Sequence, residues 1–414
     1  MIFFVKKVSI FDTVMRMSLD HSGRMIVHMD LDTFFVSVER LKDSRLEGKP
    51  VMVGGTGDRG VVASCSYEAR AFGVHSAMPM RQARMLCPDG IIVRGDYEHY
   101  TSYSRMVTEI IQESVPLYEK SSIDEFYIDM TGMDKFFGTY RYIQEVRQRI
   151  MKETGLPISF GLSENKTVSK VATGQAKPNN HLKIDRGVEK PFLAPLPVRK
   201  IPMVGESTGQ LLRKMGIVQI KTIQEMPQEV MENILGENGR VIWRKANGID
   251  TSPVEPYSER KSISSEETFQ QDTIDVARIK TILAAMTEQL AFQLRKEGKL
   301  TSVVAVKIRY SDFDTHTKQL RIPYTSTDHT LIRVVKELFD KLYDRRVLIR
   351  LVGVRLSGLV SGGYQINLLE DAEHTIRLYQ EMDYVRKRFG DTVVQRASAM
   401  GYKMNRFNPF KGER

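Results

Sequence analysis

The sequence predicts an α+β protein of several domains. Strand-like and helix-like segments follow in the order β-α-β-β-α-β over residues 25–162, with an insertion at 34–92. The same order returns over residues 264–356. Between the two units, residues 196–217 read as helix, tight glycine turn, helix. A length of 414 residues fits two to four domains at about 150 residues each.

Composition narrows the class. Hydrophobic residues make up 41% and charged residues 27%, enough apolar material for several cores. No apolar run approaches the ~20 residues that span a bilayer, so no membrane partner is expected. Met1–Phe11 is apolar but carries Lys6 and Lys7 in its middle, unlike a signal peptide, whose charges come first. Residues 1–24 read as a poorly packed leader. Cys65 and Cys87 are the two cysteines, so no disulfide framework is implied and a reducing cytoplasm is expected. Lys plus Arg number 61 against 51 Asp plus Glu, a net charge of +10. Residues 1–181 hold 23 basic and 22 acidic side chains, so the excess lies later, where a polyanion would be held.

The elements follow in order. Met25–Met29 is a short buried strand ending in Asp30-Leu31-Asp32, with Phe34 and Phe35 opening a helix that carries Val36, Val38 and Leu41. Pro50–Val53 and Gly60–Cys65 are strands. The loop Gly54–Arg59 between them lacks the Lys-Ser/Thr ending of a phosphate loop and reads as a hairpin turn. Ser66–Val74 is a short helix on which Tyr67 and Arg70, three apart, share a face. Met80–Leu86 is another, closed by Pro88. Residues 97–115 form a helix with Tyr100, Tyr103, Val107 and Ile110 or Ile111 on its core side. In Ser121–Met130, Asp124 and Glu125 precede an apolar strand. Helices follow at 140–153 and 166–172, around a strand at 158–162, and Lys177 stands before Pro178.

In the helix-hairpin-helix layout, Val204 and Gly205 sit at the hairpin, whose backbone N–H groups would face phosphate. Residues 249–261, with Pro253 and Pro256 and little apolar material, read as a linker. The second unit has strands at 264–270, 301–310, 317–324 and 347–356 and helices at 275–297 and 328–343. On strand 301–310, Lys307 and Arg309 share one face and Val304, Val306 and Ile308 the other, with Arg321 expected to join the basic face. A further helix is expected at about 374–388.

The carboxylates suggest a chemistry. Neighbouring strands lie ~4.8 Å apart, so Asp30, Asp124 and Glu125 could reach one sheet edge. Three carboxylates with few nearby histidines and no paired cysteine suit Mg²⁺, with Mn²⁺ as a possible substitute, rather than zinc. Two such ions ~3.5–4 Å apart serve in-line phosphoryl displacement. Tyr67, Arg70 and Lys177 would then hold a triphosphate, and Phe35 would exclude a 2′-hydroxyl sterically.

Five segments carry a resemblance: MDLDTFF (29–35), SYEAR (66–70), FGV (72–74), SIDEFYID (122–129) and AKPN (176–179). In order and spacing they resemble the Y-family DNA polymerases, most of all the DinB branch of the DNA polymerase IV type. The resemblance implies a right-hand polymerase with a ferredoxin-like palm (25–33 and 93–181) and small fingers (34–92). It further implies a helix-hairpin-helix thumb (182–250), a linker (251–261), a β-α-β-β-α-β little finger (262–360) and a tail (361–414). It implies two Mg²⁺ ions on Asp30, Asp124, Glu125 and the Leu31 carbonyl. Phe34, Phe35, Tyr67, Arg70 and Lys177 become nucleotide contacts, Phe35 as the steric gate. Ala63 and Ala77 fall where small residues roof the nascent base pair.

Gln365-Ile366-Asn367-Leu368-Leu369 looks like a bacterial sliding-clamp motif, with Gln365, Leu368 and Leu369 as its contacts. It departs from the usual form by ending in Leu and by preceding a helix. The implied activity is low-fidelity, template-directed translesion DNA synthesis from dNTPs on primer-template DNA by a monomer, without a proofreading exonuclease. Two other readings remain open on the residues: a DNA-binding protein without catalysis, and a nucleotidyl cyclase on a similar palm.

Overall fold

In this computed structural model the described residues are 23–57, 59–133, 138–256, 259–362, 372–390 and 393–397; they form two units, 23–256 and 259–397. The first unit begins with β1 (Ile26–Leu31), α1 (Phe34–Lys42), β2 (Val51–Gly54), β3 (Val62–Cys65), α2 (Tyr67–Ala71), α3 (Met80–Leu86) and β4 (Ile91–Val93). It continues with α4 (Tyr97–Ser114), β5 (Tyr118–Lys120), β6 (Glu125–Asp129), α5 (Thr139–Thr154), β7 (Ile158–Ser163), α6 (Lys166–Ala176) and β8 (His181–Lys183).

The main sheet runs β5-β6-β1-β7-β8, with β1 antiparallel to both neighbours. As a central strand β1 is buried on both faces, which explains its nearly continuous apolar run. Val27, Met29 and Leu31 pack into the core with Tyr100, Val107, Phe126 and Ile150. Residues 26, 28 and 30 take the other face. There α6 approaches closely, Thr173 donating to the His28 carbonyl at 2.8 Å. The approach requires Gly161 on β7, where a Cβ would lie 2.3 Å from the Ser169 carbonyl oxygen. Strands β5 and β8 are three residues each, too short for alternation to mark them, and the sequence reading gave neither its own bounds.

The insertion folds as the small sheet β3-β2-β4 with α2 and α3, around Met52, Val62, Cys65, Ala69 and Met80. β2 and β3 are antiparallel neighbours, in keeping with a hairpin through the glycine loop.

A helical region follows: α7 (Glu189–Leu193), α8 (Glu206–Lys214), α9 (Ile220–Glu225), α10 (Gln228–Leu235) and α11 (Glu237–Ala246). Gly216, at φ +79°, makes the left-handed turn after α8 that other residues adopt with strain. The expected linker is corrected in its first half. Asp250 accepts from the Thr167 N–H and hydroxyl at 3.1 and 2.6 Å, and Val254 is buried against Ile26 and Tyr127. Glu119 accepts from the Glu255 N–H at 2.8 Å and from Lys166. Prolines and charges predicted a loose tether; specific partners on the β6 face and the α6 N-terminus instead tie residues 250–255 to the first unit.

The second unit holds β9 (Ser262–Thr273), α12 (Val276–Lys296), β10 (Lys299–Tyr310), β11 (Thr315–Thr325), α13 (Asp328–Leu342), β12 (Ile349–Ser357), the two-residue β13 (Val360–Ser361) and α14 (Ala372–Phe389). Its sheet runs β11-β10-β12-β9. One face packs on α12 and α13 through Val304, Val306, Ile308, Val352 and Val354. Register places Val303, Ala305, Lys307 and Arg309 opposite Arg321, Gln319, Thr317 and Thr315. On the other side they face Ser357, Arg355, Gly353 and Leu351, so Lys307, Arg309, Arg321 and Arg355 share the second face. The helix expected at 374–388 packs back on this unit, with Arg295 bonded to Asp383 at 2.7 and 2.9 Å and Tyr379 buried. Residues 365–369 and 1–22 lie outside the described residues.

Candidate active site

β1 ends where the chemistry begins. Asp30 pairs in register with Glu125 on β6, and the Leu31 N–H donates to the Asp124 carbonyl at 3.1 Å. Asp30, Asp124 and Glu125 are therefore neighbours through backbone pairing, as expected. Ser122 fixes the turn before β6: its hydroxyl donates to Asp124 Oδ1 at 2.5 Å and accepts from the Glu125 N–H at 3.1 Å. Thr33, with φ 43°, turns β1 directly into α1. This left-handed corner is uncommon for threonine and sits where strained backbone often marks function.

Two lysines of the α6 segment neutralise the carboxylates. Lys177 Nζ bonds Asp30 Oδ1 and lies 3.5 Å from Asp32, and Lys170 Nζ is 2.8 Å from both Glu125 oxygens. Among the described residues no trio of His, Cys, Asp or Glu converges as it stands on one cation position. The Asp30 carboxyl is nevertheless pushed up to about 7, first by burial and then by Asp124 and Glu125, against the pull of Lys177. Oxygen donors whose mutual repulsion the two lysines offset only in part, as the raised Asp30 pKa shows, fit a hard divalent cation. His28, behind them, is held well below its ordinary pKa by burial and then by Lys170, Lys177 and Lys166. It bonds Thr173 at 3.0 Å within the core and so belongs to the packing.

The Asp30 shift has a consequence for stability. Because its folded pKa is raised, the contribution of Asp30 to stability is fully present below the unfolded value near 4 and is lost as pH rises through about 7. In chelator, Asp30→Asn is expected to match wild type near pH 4. It should exceed wild type by on the order of 2–4 kcal/mol above pH 7. Urea unfolding across that range checks this; a gap independent of pH would refute it.

The remaining predicted residues divide. Arg70 is exposed, its guanidinium 4.9 Å from the Tyr67 ring centroid, so the pair does share a face. Burial and then Asp32 raise the Tyr67 hydroxyl pKa. Phe35 stacks on Tyr100 with centroids 4.3 Å apart. Phe34 is a correction: it is 3% exposed and belongs to the core beneath the site, because the first turn of α1 points it inward. Ala63 and Ala77 stand on adjacent backbone, the Ala77 N–H donating to the Val62 carbonyl at 2.8 Å. Ala77 is at φ 69°.

Val204 and Gly205 are also corrected. Val204 is buried, and both N–H groups bond within the turn, to Ile201 and Met203 carbonyls. Lys307 is paired with Glu266 at 2.5 Å, and Arg309 Nε donates to Thr315 at 2.8 Å. Arg321 is exposed.

Motif and periodicity assign no role to Asp32 or Lys170, and the structure assigns one to each. Asp32 is fully buried and accepts from the Asn179 N–H at 2.6 Å and the Ser159 hydroxyl at 2.8 Å, fixing the loop that carries Lys177. Its spacing of two from Asp30 was the available signal. Lys166, Lys170, Thr173 and Lys177 recur at intervals of four and three, which marked one helix face. Asp129, at the far end of β6, accepts from the Thr131 N–H at 2.9 Å and so has a structural role.

Comparisons with known proteins agree with this arrangement. Residues 29–174 match the impB/mucB/samB family, 260–368 its C-terminal domain and 188–217 the IMS family HHH motif. A "DNA polymerase IV" of Dehalococcoides mccartyi is 36% identical over 378 residues, covering 90% of this chain and 97% of the relative. Another, of Desulfatibacillum aliphaticivorans, is 36% identical over 381 residues, covering 90% and 96%. Among solved structures, a "Y-family DNA polymerase chimera Dbh-Dpo4(243-245)-Dbh" matches with a TM-score of 0.71 and 25% identity, over 81% of this chain and 99% of that one.

Proposed function

The chain belongs to the impB/mucB/samB family and is a DNA-directed DNA polymerase of the Y-family, and from that membership we propose a low-fidelity translesion enzyme that extends a primer past damaged template bases. The observation that carries the active-site assignment is the register pairing of Asp30 with Glu125 beside Asp124. In the proposal these carboxylates and the Leu31 carbonyl hold Mg²⁺, or Mn²⁺ in its place. Such ions stabilise charge on the attacking and leaving oxygens as pyrophosphate departs.

The chain's own residues do the positioning. Asp30 would serve as a ligand in its ionised form, and Lys177, which bonds it here, would together with Arg70 and the Tyr67 hydroxyl surround the triphosphate. Phe35 stands under the sugar. The small side chains of Ala63 and Ala77 leave room above the base pair. In the second unit, the sheet face bearing Lys307, Arg309, Arg321 and Arg355 offers charge to the phosphates of primer-template DNA without reading sequence. Template-directed extension of a primer by the wild type with Mg²⁺ and dNTPs tests the reading. Product without a template, or cyclic nucleotide, would overturn it.

We also assign clamp binding to Gln365, Leu368 and Leu369, from the motif alone. Changing Gln365 and Leu368 to Ala is expected to weaken binding to a bacterial sliding clamp about 10–30-fold while basal extension persists. Surface plasmon resonance against immobilised clamp reads this, and unchanged affinity would make the segment a plain connector.

A further inference from the structure

We propose that Glu39 is a positioning residue for sugar selection: its carboxylate holds the Tyr100 hydroxyl, and the Tyr100 ring holds Phe35 in place. Phe35 and Glu39 stand four apart on α1 and so share a face. Tyr100, from α4, reaches both. Its ring stacks on Phe35 at 4.3 Å and 16°, and its hydroxyl donates to Glu39 Oε1 at 2.6 Å. Lys42 Nζ lies 3.4 Å from Glu39 Oε2, so both carboxylate oxygens are engaged. Phe34 closes the arrangement from the core side, its ring 5.5 Å from Phe35 and 6.2 Å from Tyr100.

The position is costly for a carboxylate. Glu39 is 5% exposed and Tyr100 is fully buried. Burying a charge is unfavourable unless its partners are well placed, and an apolar side chain would seal α1 against α4 more simply. What the acid adds is direction. A charged acceptor at a short distance fixes the Tyr100 hydroxyl and hence the plane of its ring. The χ2 torsion of phenylalanine is soft, so Phe35 relies on a neighbouring ring to stay in one orientation. Tyr100 is that backstop, and Glu39 sets it without touching substrate.

This inference rests on the reading of Phe35 as the gate, and the test separates the two. Single-turnover kcat/KM is measured for one deoxynucleotide and its ribonucleotide opposite the same template base. The proteins are wild type, Phe35→Ala, Tyr100→Phe, Glu39→Leu and Glu39→Gln. Tyr100→Phe and Glu39→Leu are expected to lower the dNTP-to-rNTP ratio about three- to tenfold, as losing a charged hydrogen bond loosens the ring without removing it. Glu39→Gln, whose amide oxygen still accepts from Tyr100, should stay within about twofold of wild type. Loss of packing alone would depress both nucleotides together and leave the ratio unchanged; that result for Tyr100→Phe, with Phe35→Ala still relaxing selection, overturns the role of Glu39 and leaves the gate intact. If Phe35→Ala does not change the ratio, gate and positioning role fall together. Should Glu39→Leu fail to fold, Tyr100→Phe decides alone, since it keeps the ring.

Discussion

Replacing Asp124 by alanine is expected to lower template-directed extension by at least about 10²–10³-fold, the usual effect of deleting one group that stabilises transferring charge. The geometry makes the substitution clean. The backbone at this position is held by the Leu31 N–H, which donates to the Asp124 carbonyl, a bond that alanine retains. Ser122 still accepts from the Glu125 N–H, so the entry to β6 keeps its shape. What disappears is one carboxylate beside Asp30. Single-turnover extension with saturating primer-template DNA measures the loss, and fluorescence anisotropy at fixed salt measures DNA binding. Binding should stay within about threefold of wild type, because phosphate contacts come from other basic side chains. Equal extension by mutant and wild type, or equal loss of binding and extension, would remove Asp124 from the reaction.

Phe35→Ala is expected to raise ribonucleotide use relative to deoxynucleotide use by about 10–200-fold, the range that one steric contact in a pocket supplies. The side chain is not a core anchor: Phe34 beside it is 3% exposed and fills the core, whereas Phe35 is half-buried and stacks on one face of Tyr100. Removing it should therefore cost modest stability, about 0.5–1.5 kcal/mol for the aromatic pair beyond its buried area. Incorporation of a ribonucleotide and its deoxy counterpart opposite one template base gives the ratio directly. An unchanged ratio would move the gate elsewhere along α1.

The two predictions draw on different kinds of information. Asp124 could be found from the sequence, because an acidic pair at the mouth of an apolar strand is chemically conspicuous, and Asp30 stands at the end of another such strand. Phe34 and Phe35 could not be told apart that way. Both are aromatic and adjacent, and only the direction of the first turn of α1 sends one inward and leaves the other beside Tyr100. The same limit explains Val204, which sits at a hairpin by pattern but is buried because its side chain completes the core of the helical region. Residues 249–255 looked like a tether because prolines and charges usually mark one; the Asp250 bonds to Thr167 and the burial of Val254 depend on partners more than eighty residues away.

Local periodicity and motif spacing were enough to determine the second β-α-β-β-α-β unit, the longer strands and helices of the first, the helical region between them and the carboxylates at the strand ends, because these depend on which residues alternate or recur within a few positions. Only the tertiary structure decided how those carboxylates are answered. Asp30 finds Lys177, and Glu125 finds Lys170, through the close packing of α6 on β1 and β7. It likewise decided that Glu39 meets Tyr100, sixty-one positions away. Charge compensation and ring orientation act over a few ångströms in space, and the separation of residues along the chain carries almost no information about that distance.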